Sequence, residues 1–318
     1  MSAPPLLVLG VRRSGTTLLR VVLDRHAELA VPDESYFVPQ LADRHRGRID
    51  VEEFVDDLRR LPTLREWGVS ADSVRARLRP GMGLGEAVAA VYEAYADSRG
   101  KSRWGDKTPM YMQHLPLLER LFPTALFVHL VRDGRDAGLS FLSMPPGIVT
   151  EGWGHPRTPA GFACQWRSEV RAAHALGRRV GERYLEIRYE ELVADAAGTV
   201  PRICAFAGLS YEPAMLAYEG TVDVSAKPHQ QRLRQAPTPG VRDWREDMAP
   251  EDVAAFEAVA GDLLDQLGYG KATRPSGAAR ARGRAALASY AARTAAWRAA
   301  GRAVRRSPLW KRRHPPLA

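Results

Sequence analysis

Cysteine is nearly absent. Only Cys164 and Cys204 occur in 318 residues, too few for a disulfide scaffold or a thiolate metal cluster. A single disulfide is the arithmetical maximum, and two reduced, buried thiols are the expectation. Long apolar runs are also missing: no stretch approaches the ~20 residues that cross a bilayer. The opening residues, Met1-Ser2-Ala3-Pro4-Pro5, carry no basic cluster, and the apolar run from Leu6 to Val11 is too short for a signal peptide. A cytoplasmic protein is therefore expected, with any membrane contact peripheral. Acidic residues are absent from Lys271 onward, where thirteen Lys and Arg occur without one Asp or Glu. The first 270 residues hold 33 basic and 37 acidic residues, a net of −4, although the whole chain is +9. That split excludes a uniformly basic, nucleic-acid-binding body, and no nucleic-acid partner is expected.

The remaining composition, 45% hydrophobic and 26% charged, is that of a globular chain long enough to bury a large core. Leu6-Leu7-Val8-Leu9 reads as a buried strand of a parallel sheet, because it is apolar without alternation. From Thr16 to His26 the apolar residues Leu18, Leu19, Val22 and Leu23 follow helical spacing. The unit is strand, tight loop, helix. Ala125 to Val131 and Tyr184 to Tyr189 read as further strands, each followed by a helical pattern (Glu190 to Ala207 after the latter). A shorter strand is expected around Ser102-Arg103-Trp104. Strands separated by helices predict an α/β fold, a P-loop-like parallel sheet flanked by helices. Ser35 to Gly100 reads as a largely helical insertion over the site. Lys227 to Arg242 reads as a long functional loop, and Pro250 to Leu267 as the last core helix. Residues 1–270 are taken as one domain and 271–318 as a basic, helical, Ala/Arg-rich tail.

The loop Gly10-Val11-Arg12-Arg13-Ser14-Gly15-Thr16-Thr17 carries the chemistry. A glycine-bearing loop between strand and helix points backbone N–H groups and the positive end of a helix dipole at an anion. Gly10 and Gly15 permit close approach; Ser14, Thr16 and Thr17 add hydroxyls; Arg12 or Arg13 adds charge. The spacing Gly10-x-x-x-x-Gly15 starts a P-loop, but Thr16 stands where the phosphate-reaching lysine should be. That missing lysine weakens a kinase or triphosphatase reading, which stays as the alternative, beside a non-catalytic nucleotide- or membrane-binding protein. Gly81-x-Gly83-x-Gly85 follows no strand pattern and is not a dinucleotide fingerprint.

Arg13-Ser14-Gly15-Thr16-Thr17-Leu18, followed by Asp24-x-His26 and Pro32-Asp33-Glu34-Ser35, resembles the 5′-phosphosulfate loop of sulfotransferases that use 3′-phosphoadenosine-5′-phosphosulfate (PAPS). The likeness is to the tyrosylprotein branch and its bacterial relatives. Val131-Arg132-Asp133-Gly134-Arg135-Asp136, with Ser140 eight residues after Arg132, is similar to the family's 3′-phosphate motif. The resemblance spans residues 6 to 268. It implies a sulfonate transfer from PAPS, as co-substrate, to a hydroxyl-bearing acceptor, with no metal. Its cofactor-binding residues would be Arg12, Arg13, Ser14, Gly15, Thr16, Thr17, Arg132 and Ser140, with Tyr189 on the nucleotide and Arg242 near the 3′-phosphate.

Sulfonate transfer needs an activated oxygen, a stabilised leaving phosphate and in-line geometry. Glu34 aligns with the family's catalytic glutamate and is the expected base, with Asp33 its local rival; His26 is expected to cap or pack. Lys107, in Trp104-Gly105-Asp106-Lys107-Thr108-Pro109, is expected to neutralise charge on the leaving phosphate, and Asp106 is placed to orient it. Met144 stands where the branch carries a further basic residue, so another arginine must serve or the contacts are fewer. In the tail, Leu287, Tyr290, Thr294, Trp297, Gly301 and Val304 recur at helical spacing, with Arg293, Arg298, Arg302 and Arg305 largely off that stripe. Such a helix either packs on its own domain or lies on an anionic membrane or partner surface. The acceptor has no readable code; residues 35–100 and 145–159 are expected to shape its pocket.

Overall fold

Five parallel strands form the centre of the molecule. The computed structural model describes residues 3–45, 47–144, 156–218 and 243–306. Its elements begin with β1 (Leu6–Leu9), α1 (Thr16–Asp24) and β2 (Leu29–Ala30). An insertion of α2 (Phe37–Arg44), α3 (Val51–Arg59), α4 (Pro62–Trp67), α5 (Ala71–Arg75) and α6 (Leu84–Ser98) leads into β3 (Arg103–Lys107). Then come α7 (Leu115–Leu121), β4 (Leu126–Val131), α8 (Gly134–Leu142), α9 (Pro159–Val180) and β5 (Tyr184–Arg188). The chain continues through α10 (Tyr189–Ala194), α11 (Ala196–Ala207), α12 (Trp244–Asp247), α13 (Pro250–Gln266) and α14 (Gly277–Arg306).

The strand order is β2-β3-β1-β4-β5, every pairing parallel, with Val8 opposite Lys107 on one side and Val128 on the other. All four residues of β1 are buried, which is why that strand reads as an unbroken apolar run. Leu6 and Val8 face a layer with Leu19, Val22, Leu23, Val200 and Ile203. Leu7 and Leu9 face the larger core of the insertion, α8, α9 and α13. The parallel arrangement brings the carboxyl ends of all five strands to one edge, where open α/β sheets bind ligands.

The expected α/β architecture and helical insertion are present. Three details differ from the sequence reading. β3 runs on to Lys107, so this lysine ends a strand rather than lying beyond it. The pattern from Glu190 to Ala207 is two helices, broken at Asp195, whose side chain accepts from the Gly198 N–H at 2.8 Å and caps the second; a cap of that kind competes with continuing the first helix. Pro250 to Leu267 is not the last helix on the core, because α14 packs on α13 and α9. Arg242 and the segment Lys227 to Arg242 lie outside the described residues, as do 145–155.

The first turn of α8 is locked by charge. Arg135 is fully buried; its guanidinium meets Asp133 at 2.7 Å and Glu257 of α13 at 2.6 Å, and lies 3.6 Å from the Trp244 ring centroid. Glu257 also accepts from the backbone N–H groups of Ala272 and Thr273. Glu257→Ala would leave a buried guanidinium short of a partner, and a loss of about 3–5 kcal/mol is expected in urea unfolding. An unchanged midpoint and slope would contradict this account.

Candidate active site

The loop after β1 folds back tightly on itself. The Ser14 N–H donates to Val11 O at 3.1 Å, and Gly15 takes φ +88° to start α1. A Cβ at Gly15 would sit 2.3 Å from the Tyr189 ring, so glycine is required twice over, by conformation and by space. Among the described residues only two non-glycine residues have positive φ: Arg13 at +71° and Tyr36 at +54°. One lies in this loop, the other beside Glu34. Backbone held in sparsely populated regions clusters at functional sites, because surrounding structure must hold it there.

Glu34 and Lys107 meet. Lys107 Nζ lies 2.6 Å from Glu34 Oε1 and 3.3 Å from Thr17 Oγ1, so the ammonium stands between the acid and the phosphate loop. Lys107 is 1% exposed. Burial pulls its ammonium below the usual lysine range, and the Glu34 charge opposes that. The rival acid, Asp33, points elsewhere and pairs with Arg20 at 3.2 Å. Tyr36 donates its hydroxyl to the other Glu34 oxygen. His26 is buried against Ser210 O and packs as expected.

The two motifs expected to bind phosphate are joined across 127 residues. Arg13 Nε donates to Ser140 Oγ at 2.9 Å, and Arg132 Nη1 donates to Arg13 O at 3.1 Å. Arg13 thus supplies a guanidinium beside Ser140 of α8, four residues before Met144. Arg132 sits over the Tyr189 ring at 4.6 Å, and Trp166 Nε1 donates to Arg132 O. Tyr189 therefore props both Gly15 and Arg132. Asp136 does not pair with Arg132; it accepts the Trp244 N–H at 2.8 Å, and burial pushes its carboxyl up to about 6. Ser14 Oγ and Arg132 Nε are buried without a hydrogen-bond partner. Both are donors that could meet an anion's oxygens. Thr16 is buried and Arg12 half-buried in the same loop.

A family model described as "Sulfotransferase family" matches residues 4–213. The chain belongs to the sulfotransferase family. It is 27% identical over 304 residues to nodulation protein NoeE of Sinorhizobium fredii, covering 82% of this chain and 65% of that one, slightly under two thirds of its length. It is 24% identical over 282 residues to protein-tyrosine sulfotransferase A of Caenorhabditis elegans, covering 86% and 69%. The fold is that of the sulfotransferase domain from the curacin biosynthetic pathway, at TM-score 0.59 and 21% identity, over 83% of this chain and 98% of that one. Family membership removes the kinase reading.

Sequence reasoning missed what holds the acid in place. Asp106, fully interior beside Lys107, accepts at Oδ2 from Ser35 Oγ at 2.9 Å, Tyr92 OH at 2.9 Å and Thr108 Oγ1 at 3.1 Å. The Ser35 N–H donates to Thr108 Oγ1 at 3.0 Å, and Tyr111 OH lies 2.5 Å from Ser35 Oγ. Asp106 therefore points away from Lys107 and clamps the turn that follows Glu34. The only signal in the sequence was a polar residue alternating into a buried strand.

A second polar cluster lies on β4, β5 and α9. His129, His174 and Glu186 could offer metal ligands, but Glu186 Oε2 already meets both rings, at 3.1 and 2.7 Å.

Burial pushes the Asp106 carboxyl up to about 6, against the hydrogen bonds it receives. A raised acid favours the folded state when protonated, so its contribution is complete below pH 3.8 and is lost as pH rises through 6. Relative to Asp106→Asn, the protein should lose roughly 3 kcal/mol of stability between acidic and neutral pH. Denaturant titrations of both proteins across that range test this; parallel curves would contradict it.

Proposed function

We propose that this chain transfers a sulfonate group from PAPS to the hydroxyl of an acceptor, with Glu34 as general base. The observation that carries the reading is the Glu34–Lys107 pair, 2.6 Å apart and 3.3 Å from Thr17 at the carboxyl edge of the sheet. An acceptor hydroxyl within hydrogen-bond reach of Glu34 would give up its proton there as the oxygen attacks. Lys107 and the Thr17 hydroxyl are placed to meet the negative charge that collects on the departing phosphate oxygen. The loop from Arg12 to Thr17 would hold the 5′-phosphosulfate on backbone N–H groups, with the buried, unpartnered Ser14 Oγ as a further donor. Arg132, Ser140 and Arg13 would hold the 3′-phosphate, and Tyr189 supports that site from below; Arg242 remains a proposed contributor. The donor supplies the sulfonate, and this chain supplies position and charge. Family membership supports the reaction class, and relatives that act on protein tyrosine show only that hydroxyl acceptors suit the family. Tyr36 and Met110, both exposed, lie two and three residues after the acid and the lysine in sequence.

Glu34→Gln should lower kcat by about 10²–10⁴-fold, measured as release of adenosine 3′,5′-bisphosphate with a pool of hydroxyl acceptors. Binding of that bisphosphate, by calorimetry, should be unchanged. Transfer at the wild-type rate would remove Glu34 as the base.

The 3′ site is tested by comparison of two ligands. Wild-type protein should bind adenosine 3′,5′-bisphosphate more tightly than adenosine 5′-phosphate, and Arg132→Ala should erase about 1.5–3 kcal/mol of that preference. A preference that survives would place the 3′-phosphate elsewhere.

A further inference from the structure

Among the described residues three large apolar side chains stand exposed. Tyr36 and Met110 flank the site. The third, Trp297, is the most exposed at 57% and lies far along the chain, on α14. The apolar stripe of α14 has two parts. Its first part is docked: Ala286, Leu287 and Tyr290 pack on the main core, and a Cβ at Gly283 would come within 2.2 Å of the Ala258 carbonyl of α13. Thr294 is half-buried on the same stripe. Trp297 is the next position at helical spacing and the largest side chain on that face. A helix that served only to cover its own domain would bury that residue. Here the stripe outruns the core, and the indole is left in the open.

The flanks of the helix carry charge of one sign. Arg280, Arg282, Arg284 and Arg293 are exposed. From residue 271 to 318 there are thirteen Lys and Arg and no acid, while residues 1–270 carry a net −4. This combination fits an anionic bilayer surface. An indole is amphipathic and settles at the headgroup layer, and basic residues beside it meet the lipid phosphates. A nucleic acid fits less well, because its binding surface would have to extend onto a body that is net negative.

We propose that 271–318 is an appended segment on the 1–270 body, and that its helix is a peripheral anchor that seats Trp297 and the neighbouring arginines on an anionic phospholipid surface. Seating requires no unfolding, since Trp297 is already exposed and the docked part of the stripe can stay on α13.

The test uses the full chain and does not depend on sulfonate transfer, so it stands or falls apart from the reading of the site. The protein is floated with vesicles of phosphatidylcholine alone and of phosphatidylcholine mixed with phosphatidylglycerol. Flotation is expected only with the mixed vesicles, and should fall away as salt shortens the screening length from about 30 Å at 0.01 M to about 10 Å at 0.1 M. Trp297→Ala and the double variant Arg282→Glu, Arg293→Glu should each lower partitioning by about fivefold or more. Thermal melts of both variants should match the wild type, because the substituted side chains are exposed. Equal flotation on the two vesicle types, none on either, or undiminished flotation of both variants would overturn the proposal. So would duplex DNA displacing the protein from mixed vesicles at equal phosphate concentration.

Discussion

One buried carboxylate, Asp106, ties the helical insertion to the carboxyl edge of the sheet. It sits inside β3, where an ionised acid is unfavourable, and is tolerated because Ser35, Tyr92 and Thr108 all donate to it. Those donors come from three separate places: the turn before α2, the helix α6, and the residue just past β3. Ring packing reinforces the tie, with Tyr92 stacked on Trp104 at 4.5 Å and Trp67 and Phe37 packed around it. This hub holds the C-terminal side of the turn that carries Glu34, while Arg20, bonded to Val31 O and Asp33, holds the side that precedes it.

Positive charge is organised differently on the two sides of the site. Lys107 is buried and hydrogen-bonded to one acid, Glu34. Arg13 and Arg132 form a connected pair, linked through Ser140 Oγ and the Arg13 carbonyl. Tyr189 supports both Gly15 and Arg132. The first motif and the second are thus mechanically one object, although they are more than a hundred residues apart in sequence. Arg135, three residues after Arg132, is instead paired with Asp133 and Glu257 and holds α8 in place.

Much of the fold was legible because its signals are local. β1 is a bare apolar run since helices cover both its faces, and α1 shows its buried side in the spacing of Leu18, Leu19, Val22 and Leu23. The glycine-bearing loop between β1 and α1 was legible because its signal is contained in eight consecutive residues. The break at Asp195 was less so, since Glu190 to Ala207 keeps helical spacing on both sides of the cap. Asp106 was illegible as a clamp. Its partners lie 71, 14 and 2 residues away, and nothing in the local pattern says which way a strand's polar side chain faces.

By itself, the sequence determined a strand–loop–helix unit whose glycine-bearing loop lacks a P-loop lysine, an arginine at the end of a second strand, a parallel α/β sheet, and a tail with charge of one sign. These follow from short-range spacing and composition, which chain connectivity preserves. Only the tertiary structure decided that Glu34 rather than Asp33 faces Lys107, since adjacent residues share every local signal and differ only in what lies opposite them. It alone showed that Arg13 reaches Ser140, and that the tail helix docks through Tyr290 yet leaves Trp297 uncovered. Each is a question of which distant surfaces meet, and packing settles that, not pattern.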